Sequence, residues 1–163
     1  GFAALIDIMP HITRNYPDAT LLIAGDGEER DALEFHIKAL GMREHVRLLG
    51  RVAHDVLLEY VRGSDCFALN TGYEGFSHQI LEALAVGASV VTTRIGGNPE
   101  LIRDGENGLL VNYDDRAALT AAIMRVFESD ALRAQFAEKG PETAQQFSKG
   151  RMIGELVLAI QRL

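Results

Sequence analysis

The chain has 163 residues and a mass of 17.8 kDa, and its 47% hydrophobic and 24% charged content suits a folded domain with one sizeable core and excludes a disordered segment. Twenty-three acidic against 16 basic side chains give a formal net charge of -7, which excludes a general nucleic-acid coat and a polybasic membrane anchor, so a phosphate-bearing partner has to be met locally. The single cysteine, Cys66, rules out a disulfide framework and a Cys-rich metal site, and reads as a small buried hydrophobe in a reducing compartment.

No run approaches the ~20 apolar residues of a transmembrane helix, and the first residues carry no signal peptide, so a cytoplasmic location is expected. The chain opens inside a helical pattern, with Phe2, Leu5, Ile6, Met9 and Ile12 on one face. Lacking an initiator Met, it is expected to be missing its beginning. Residues 19–24 read as a buried strand, broken by Gly25-Asp26-Gly27. Residues 28–40 follow as a helix with Leu33, Ile37 and Leu40 on one side, stopped by Gly41 where a positive φ is wanted. A strand at 46–49, a helix at 55–62, a strand at 65–69, a helix at 78–86 and a strand at 89–93 continue the alternation. Beyond Gly108-Leu109-Leu110-Val111 only helices are expected, with Gly140-Pro141 separating or kinking them and a last one carrying Met152, Ile153, Leu156, Val157 and Ile160.

Four strands separated by helical segments imply right-handed βαβ units, and hence α/β architecture: one Rossmann-like parallel sheet with helices on both faces, in a single domain over residues 1–163. Ligands of such sheets bind outside the carboxyl ends of the strands. That rim comprises residues 25–28, 50–52, 70–77 and 94–100. Glycine in these loops suits close approach of backbone to ligand, or turn geometry alone.

The run Glu74-Gly75-Phe76-Ser77-His78-Gln79-Ile80-Leu81-Glu82-Ala83-Leu84-Ala85-Val86-Gly87 carries the chemistry. Its helix reads as apolar nearly all round with Glu82 in the middle, and a buried carboxylate needs donors; ligand hydroxyls, solvent or a nearby Arg are the alternatives. His78 lies four residues before Glu82, on the same face. The helix start would offer the amides of Phe76, Ser77 and His78 to an anion. Glu74, in the preceding loop, suits hydroxyls of a group attached to that anion. Together these describe a pocket for a nucleoside diphosphate sugar, with Glu82 on ribose, the amides on diphosphate and Glu74 on the hexose.

The Glu74/Glu82 pair, the following Gly96-Gly97-Asn98-Pro99-Glu100-Leu101-Ile102, the upstream Ile23-Ala24-Gly25-Asp26-Gly27 and the Gly105-Glu106-Asn107-Gly108-Leu109-Leu110 turn together resemble the C-terminal half of a family 4 (group 1) retaining glycosyltransferase of the GT-B fold. The match covers nearly the whole chain. The resemblance implies transfer of a hexosyl group from a nucleoside diphosphate sugar with retention. Glu74 would serve as the catalytic residue near the reacting carbon. The donor would be held by Glu82, Gly75, Phe76, Ser77 and His78, with Gly25, Gly27, Arg51 and Val52 on the rim loops. Arg51 stacks on the base or is a solvated charge. Ser77 and His78 depart from the family, which more often has Gly and a small or apolar residue there, so their side chains either crowd the donor or bond it.

The resemblance further implies an N-terminal acceptor domain and a first strand that are absent here, together with an Arg and a Lys that clamp the diphosphate. This chain alone is therefore expected to be inactive. Nucleotide sugar is the expected partner and nucleic acid is not; contact with the inner face of a membrane would be made through the absent half. With no Asp-x-Asp motif, neither a metal nor a cofactor is expected. Two other classes stay open: a non-catalytic nucleotide-binding α/β module, and half of a GT-B epimerase or phosphorylase. A receiver-like module would need clustered Asp residues at strand ends.

Overall fold

A computed structural model of the chain describes residues 1–147. The elements are α1 (Phe2–Asn15), β1 (Leu21–Ala24), α2 (Arg30–Ala39), β2 (Val46–Gly50), α3 (His54–Gly63), β3 (Phe67–Leu69), α4 (His78–Ala85), β4 (Val90–Thr93), α5 (Asn98–Leu101), β5 (Leu109–Val111), α6 (Arg116–Glu128) and α7 (Asp130–Gln146). The alternation read from the sequence holds as far as β4, and Gly41 takes its positive φ of 68° after α2. All strand pairs are parallel, with helices against both faces, and this is the α/β architecture expected.

Three expectations are corrected. Leu109–Val111, read as the lead-in to a helical region, pairs with Val91–Thr93 as a fifth strand. Three apolar residues after a glycine are too short a run to show a period. The strands form two ladders, β1–β2 and β3–β4–β5, instead of one. Between these ladders lies a cavity of about 70 Å³ lined by Leu21 of β1, Ala68 of β3 and Leu5, Ile8 and Ile12 of α1. Gly140-Pro141 does not separate two helices, since α7 runs from Asp130 to Gln146 across it. Gly140 instead permits close approach, since a Cβ there would stand 2.9 Å from the Leu84 carbonyl oxygen of α4. The helix expected from Met152 to Ile160 lies outside the described residues.

Every residue of β4 is buried, as a strand covered on both faces must be. Side chains alternate across it: Val91 packs with Leu5, Ile6, Met9 and Ile12 of α1 and Leu119, Ile123 and Val126 of α6, whereas Val90 packs with Ile80, Ala83 and Leu84 of α4. Each fully buried Ile or Leu contributes about 1.5–3 kcal/mol of transfer free energy, so β4 is where the two cores meet. Cys66 joins the α1 side; burial, with a smaller push from the Asp65 carboxylate, raises its thiol to about 12. Cys66 is half-buried, not fully buried as expected, and its thiol stays protonated at neutral pH.

Candidate functional site

The loops that leave the strands at their carboxyl ends are residues 25–29, 51–53, 70–77 and 94–97, and they carry every residue singled out in the sequence except those on α4. They are held with very different firmness.

The loop from Asn70 to Ser77 is tied to neighbouring elements at Thr71 and Gly75, and the strands beside it are braced. Thr93 Oγ1 donates to the Thr71 carbonyl at 2.7 Å, Thr92 Oγ1 donates to the Leu69 carbonyl at 2.9 Å, and buried Asn98 Nδ2 donates to the Thr93 carbonyl at 3.0 Å. Further along, Gly97 N–H donates to the Gly75 carbonyl at 2.8 Å. The approach is too close for any side chain. A Cβ on Gly96, whose φ is +54°, would stand 1.6 Å from the Glu74 carbonyl oxygen, and one on Gly97 would stand 2.2 Å from that of Gly75. Gly96 and Gly97 thus fix the backbone that carries Glu74, whose side chain is half-exposed at the rim. The sequence placed this pair in a rim loop, as a turn or an approach to ligand, and did not show its contact with the Glu74 loop. Two successive glycines facing another loop of the same rim were the available signal.

Ser77 then caps α4. Its side chain is buried, and its Oγ accepts from Ile80 N–H at 3.4 Å. The Ser77 hydroxyl therefore serves the start of α4. The amides of His78 and Gln79 in the first turn have no acceptor among the described residues, as helix geometry dictates. Phe76 precedes the cap, so its amide belongs to the loop and not to the helix. Its ring is half-buried, edge-on to His78 at 5.9 Å between centroids, while His78 itself is exposed.

Glu82 corrects an expectation. Gln79 and Ala85 are exposed, so α4 has a wet side, and the Glu82 carboxylate is 42% accessible with His54 Nε2 3.5 Å from Oε1. It is not a buried charge in search of donors; water solvates it, and one histidine faces it. His54, the first residue of α3, was not singled out in the sequence, and a surface histidine on a separate helix leaves no local signal of this contact.

The other two loops meet through one backbone bond, Gly25 N–H to the Gly50 carbonyl at 2.8 Å. Arg51 adds a long contact to Asp26, 3.9 Å from Nε to Oδ2, with its side chain 89% accessible. Gly25 and Gly27 are exposed and Val52 is half-buried. The geometry therefore gathers Gly25, Gly27, Arg51 and Val52 at one end of the rim and Glu74 to His78 at another, with Glu82 in the middle of α4 facing His54 at the start of α3.

Residues 1–143 match the family described as glycosyl transferases group 1. The chain is 36% identical over 150 residues to the lipopolysaccharide core biosynthesis glycosyltransferase LpsE of Rhizobium meliloti (strain 1021), an alignment that covers 91% of this chain and 42% of that protein. Among solved structures, Anabaena HepE in complex with UDP-glucose superposes with a TM-score of 0.87 at 27% identity, covering all of this chain (100%) and 45% of that one. The C-terminal domain of a group 1 glycosyl transferase from Francisella tularensis (LpcC) superposes with a TM-score of 0.80 at 25% identity, covering 90% and 78%. The chain spans about two-fifths of the length of the curated relatives it matches. It belongs to the group 1 glycosyl transferases, and its fold is that of their GT-B C-terminal domain.

Proposed function

We propose that this chain is the donor-binding part of a hexosyltransferase that takes a nucleoside diphosphate sugar and transfers its hexose with retention. The diphosphate lies at the start of α4, against the loop and first-turn amides from Gly75 to His78. Glu82 accepts from ribose hydroxyls, and Glu74 serves the hexose at the reacting carbon. Gly25, Gly27, Arg51 and Val52 line the base end. As the sugar leaves, charge grows on the diphosphate, and amides already aimed there stabilise it without reorganising. No metal or organic cofactor is called for; cations for the diphosphate and the acceptor site belong to the remaining length of the protein. We assign the protein to the cytoplasm, with membrane-surface contact through its other half. Among the described residues no helix is long and apolar enough to cross a membrane.

The observation that supports this function best is the packing of the Glu74-Gly75 backbone on Gly96-Gly97, which preorganises a carboxylate beside a helix start. Saturation-transfer NMR of the chain against UDP-, GDP- and ADP-hexoses tests it. At least one should bind, weakly and without turnover. Binding of none of the three, or steady transfer by this chain alone, would contradict the assignment.

A further inference from the structure

We propose that His54 is a positioning residue for the ribose end of the donor: it holds one oxygen of the Glu82 carboxylate so that the other faces the nucleotide. This rests on the assignment of Glu82 to ribose made above. His54 opens α3 two residues after Val52, so it stands between the loop given to the base and the helix that bears Glu82. Its Nε2 lies 3.5 Å from Glu82 Oε1, the one charged contact that Glu82 makes among the described residues. Oε2 is left to a ligand.

The contact has little to do for the fold. Both side chains are accessible, 64% for His54 and 42% for Glu82, and such pairs contribute little to stability in water. Nor does the His54 side chain make a hydrogen bond to its own helix, α3, among the described residues. Its use is geometric. A solvated Glu side chain samples several rotamers, and a neighbour that already restricts it lowers the entropy lost when ribose binds. At 3.5 Å the contact is longer than a hydrogen bond, and a small rotation of either exposed side chain brings a ring N–H, which the neutral imidazole also carries, to Oε1. Contacts of this kind are commonly long in a ligand-free site and tighten around the ligand.

The test is calorimetric titration of the wild-type chain, His54→Ala and His54→Gln with whichever of UDP, GDP and ADP binds most tightly, and with its 2′,3′-dideoxy counterpart. Wild type should prefer the ribose nucleotide. His54→Ala should lower that preference about three- to tenfold, entirely through weaker binding of the ribose form, and His54→Gln, which keeps an N–H donor, should restore part of it. A structural role would move both nucleotides alike. An unchanged preference in His54→Ala, equal losses for both nucleotides, or tighter ribose binding would overturn the proposal while leaving Glu82 on ribose. A wild type without any preference would remove the Glu82 assignment and the proposal with it.

Discussion

The β3–β4–β5 half and the β1–β2 half of the molecule use the same strand-turn-helix grammar and differ in how their rim loops are held. In the first, backbone meets backbone at Gly96 and Gly97, Thr93 of β4 bonds the Thr71 carbonyl of the Glu74 loop, Thr92 bonds the end of β3 at Leu69, and buried Asn98 braces β4 at Thr93. In the second, Gly25 and Gly50 share a single hydrogen bond, and an exposed Arg51 reaches Asp26 only at 3.9 Å. Sites that must stabilise a transition state need fixed groups, whereas a flat base can be met by a loop that adjusts. The firm half is the one that carries the proposed reacting end.

Glycine substitution probes that contrast with the largest expected effect. Gly96→Ala should destabilise the chain by about 2–4 kcal/mol in urea denaturation, because it adds a Cβ at positive φ against the Glu74 carbonyl. Gly27→Ala, at a position where an added Cβ meets nothing within 4 Å, should change stability by less than about 1 kcal/mol. Similar losses at both positions would show that the two rims are equally firm. A smaller effect belongs to the contact that joins α1 to helices of both halves. Asp7 Oδ1 lies 2.6 Å from His36 Nε2 of α2, and Arg116 Nε of α6 donates to Asp7 Oδ2 at 2.8 Å. Partial burial alone would raise the Asp7 carboxyl, but the hydrogen bonds from Arg116 and His36 outweigh it and hold it below its ordinary value. A lowered carboxyl stabilises the fold above its unfolded value near 3.8, and that contribution is lost as pH falls through the lower folded value. Asp7→Asn should cost about 0.5–1 kcal/mol at neutral pH and should flatten the fall in stability below pH 4; an unchanged acid limb would remove Asp7 from that account.

Much of this was legible in the sequence because βαβ units write themselves as alternating periods. A run such as Val90–Thr93 signals a buried parallel strand, whereas Leu21–Ala24, read as buried, is parallel but buries only Ile23 and leaves Leu22 exposed because β1 has a single neighbour strand; the carboxyl-edge rule then names the rim without coordinates. Glu74 and Glu82 could be picked out as candidates for the same reason, since the topology puts one on a rim loop and the other on the helix that follows it. What escaped was non-local or short. β5 is three residues long, and the division into two ladders depends on which strands pair. Asn107, noted only as part of a turn motif, joins that turn to α7, with Nδ2 donating to the Leu101 carbonyl and to Thr143 Oγ1, each at 2.9 Å. The wet side of α4 was misjudged because Ala85 counts as apolar yet faces solvent. His54 meets Glu82 from a different helix, and no spacing rule connects residues 28 positions apart.

The central claim is that Glu82 and Glu74 mark opposite ends of one donor, and a crossed pair of variants in the full-length protein tests it most directly. Affinity for a nucleoside diphosphate and for the matching nucleotide hexose is measured together with the rate of transfer. Glu82→Gln should weaken both ligands by about 1.5–3 kcal/mol. Glu74→Ala should leave the nucleoside diphosphate within a few-fold of wild type while cutting transfer roughly 100-fold or more, a loss confined to the transition state. Equal losses of nucleotide and nucleotide hexose on Glu74→Ala would place that residue at the phosphate or in the scaffold and contradict the claim.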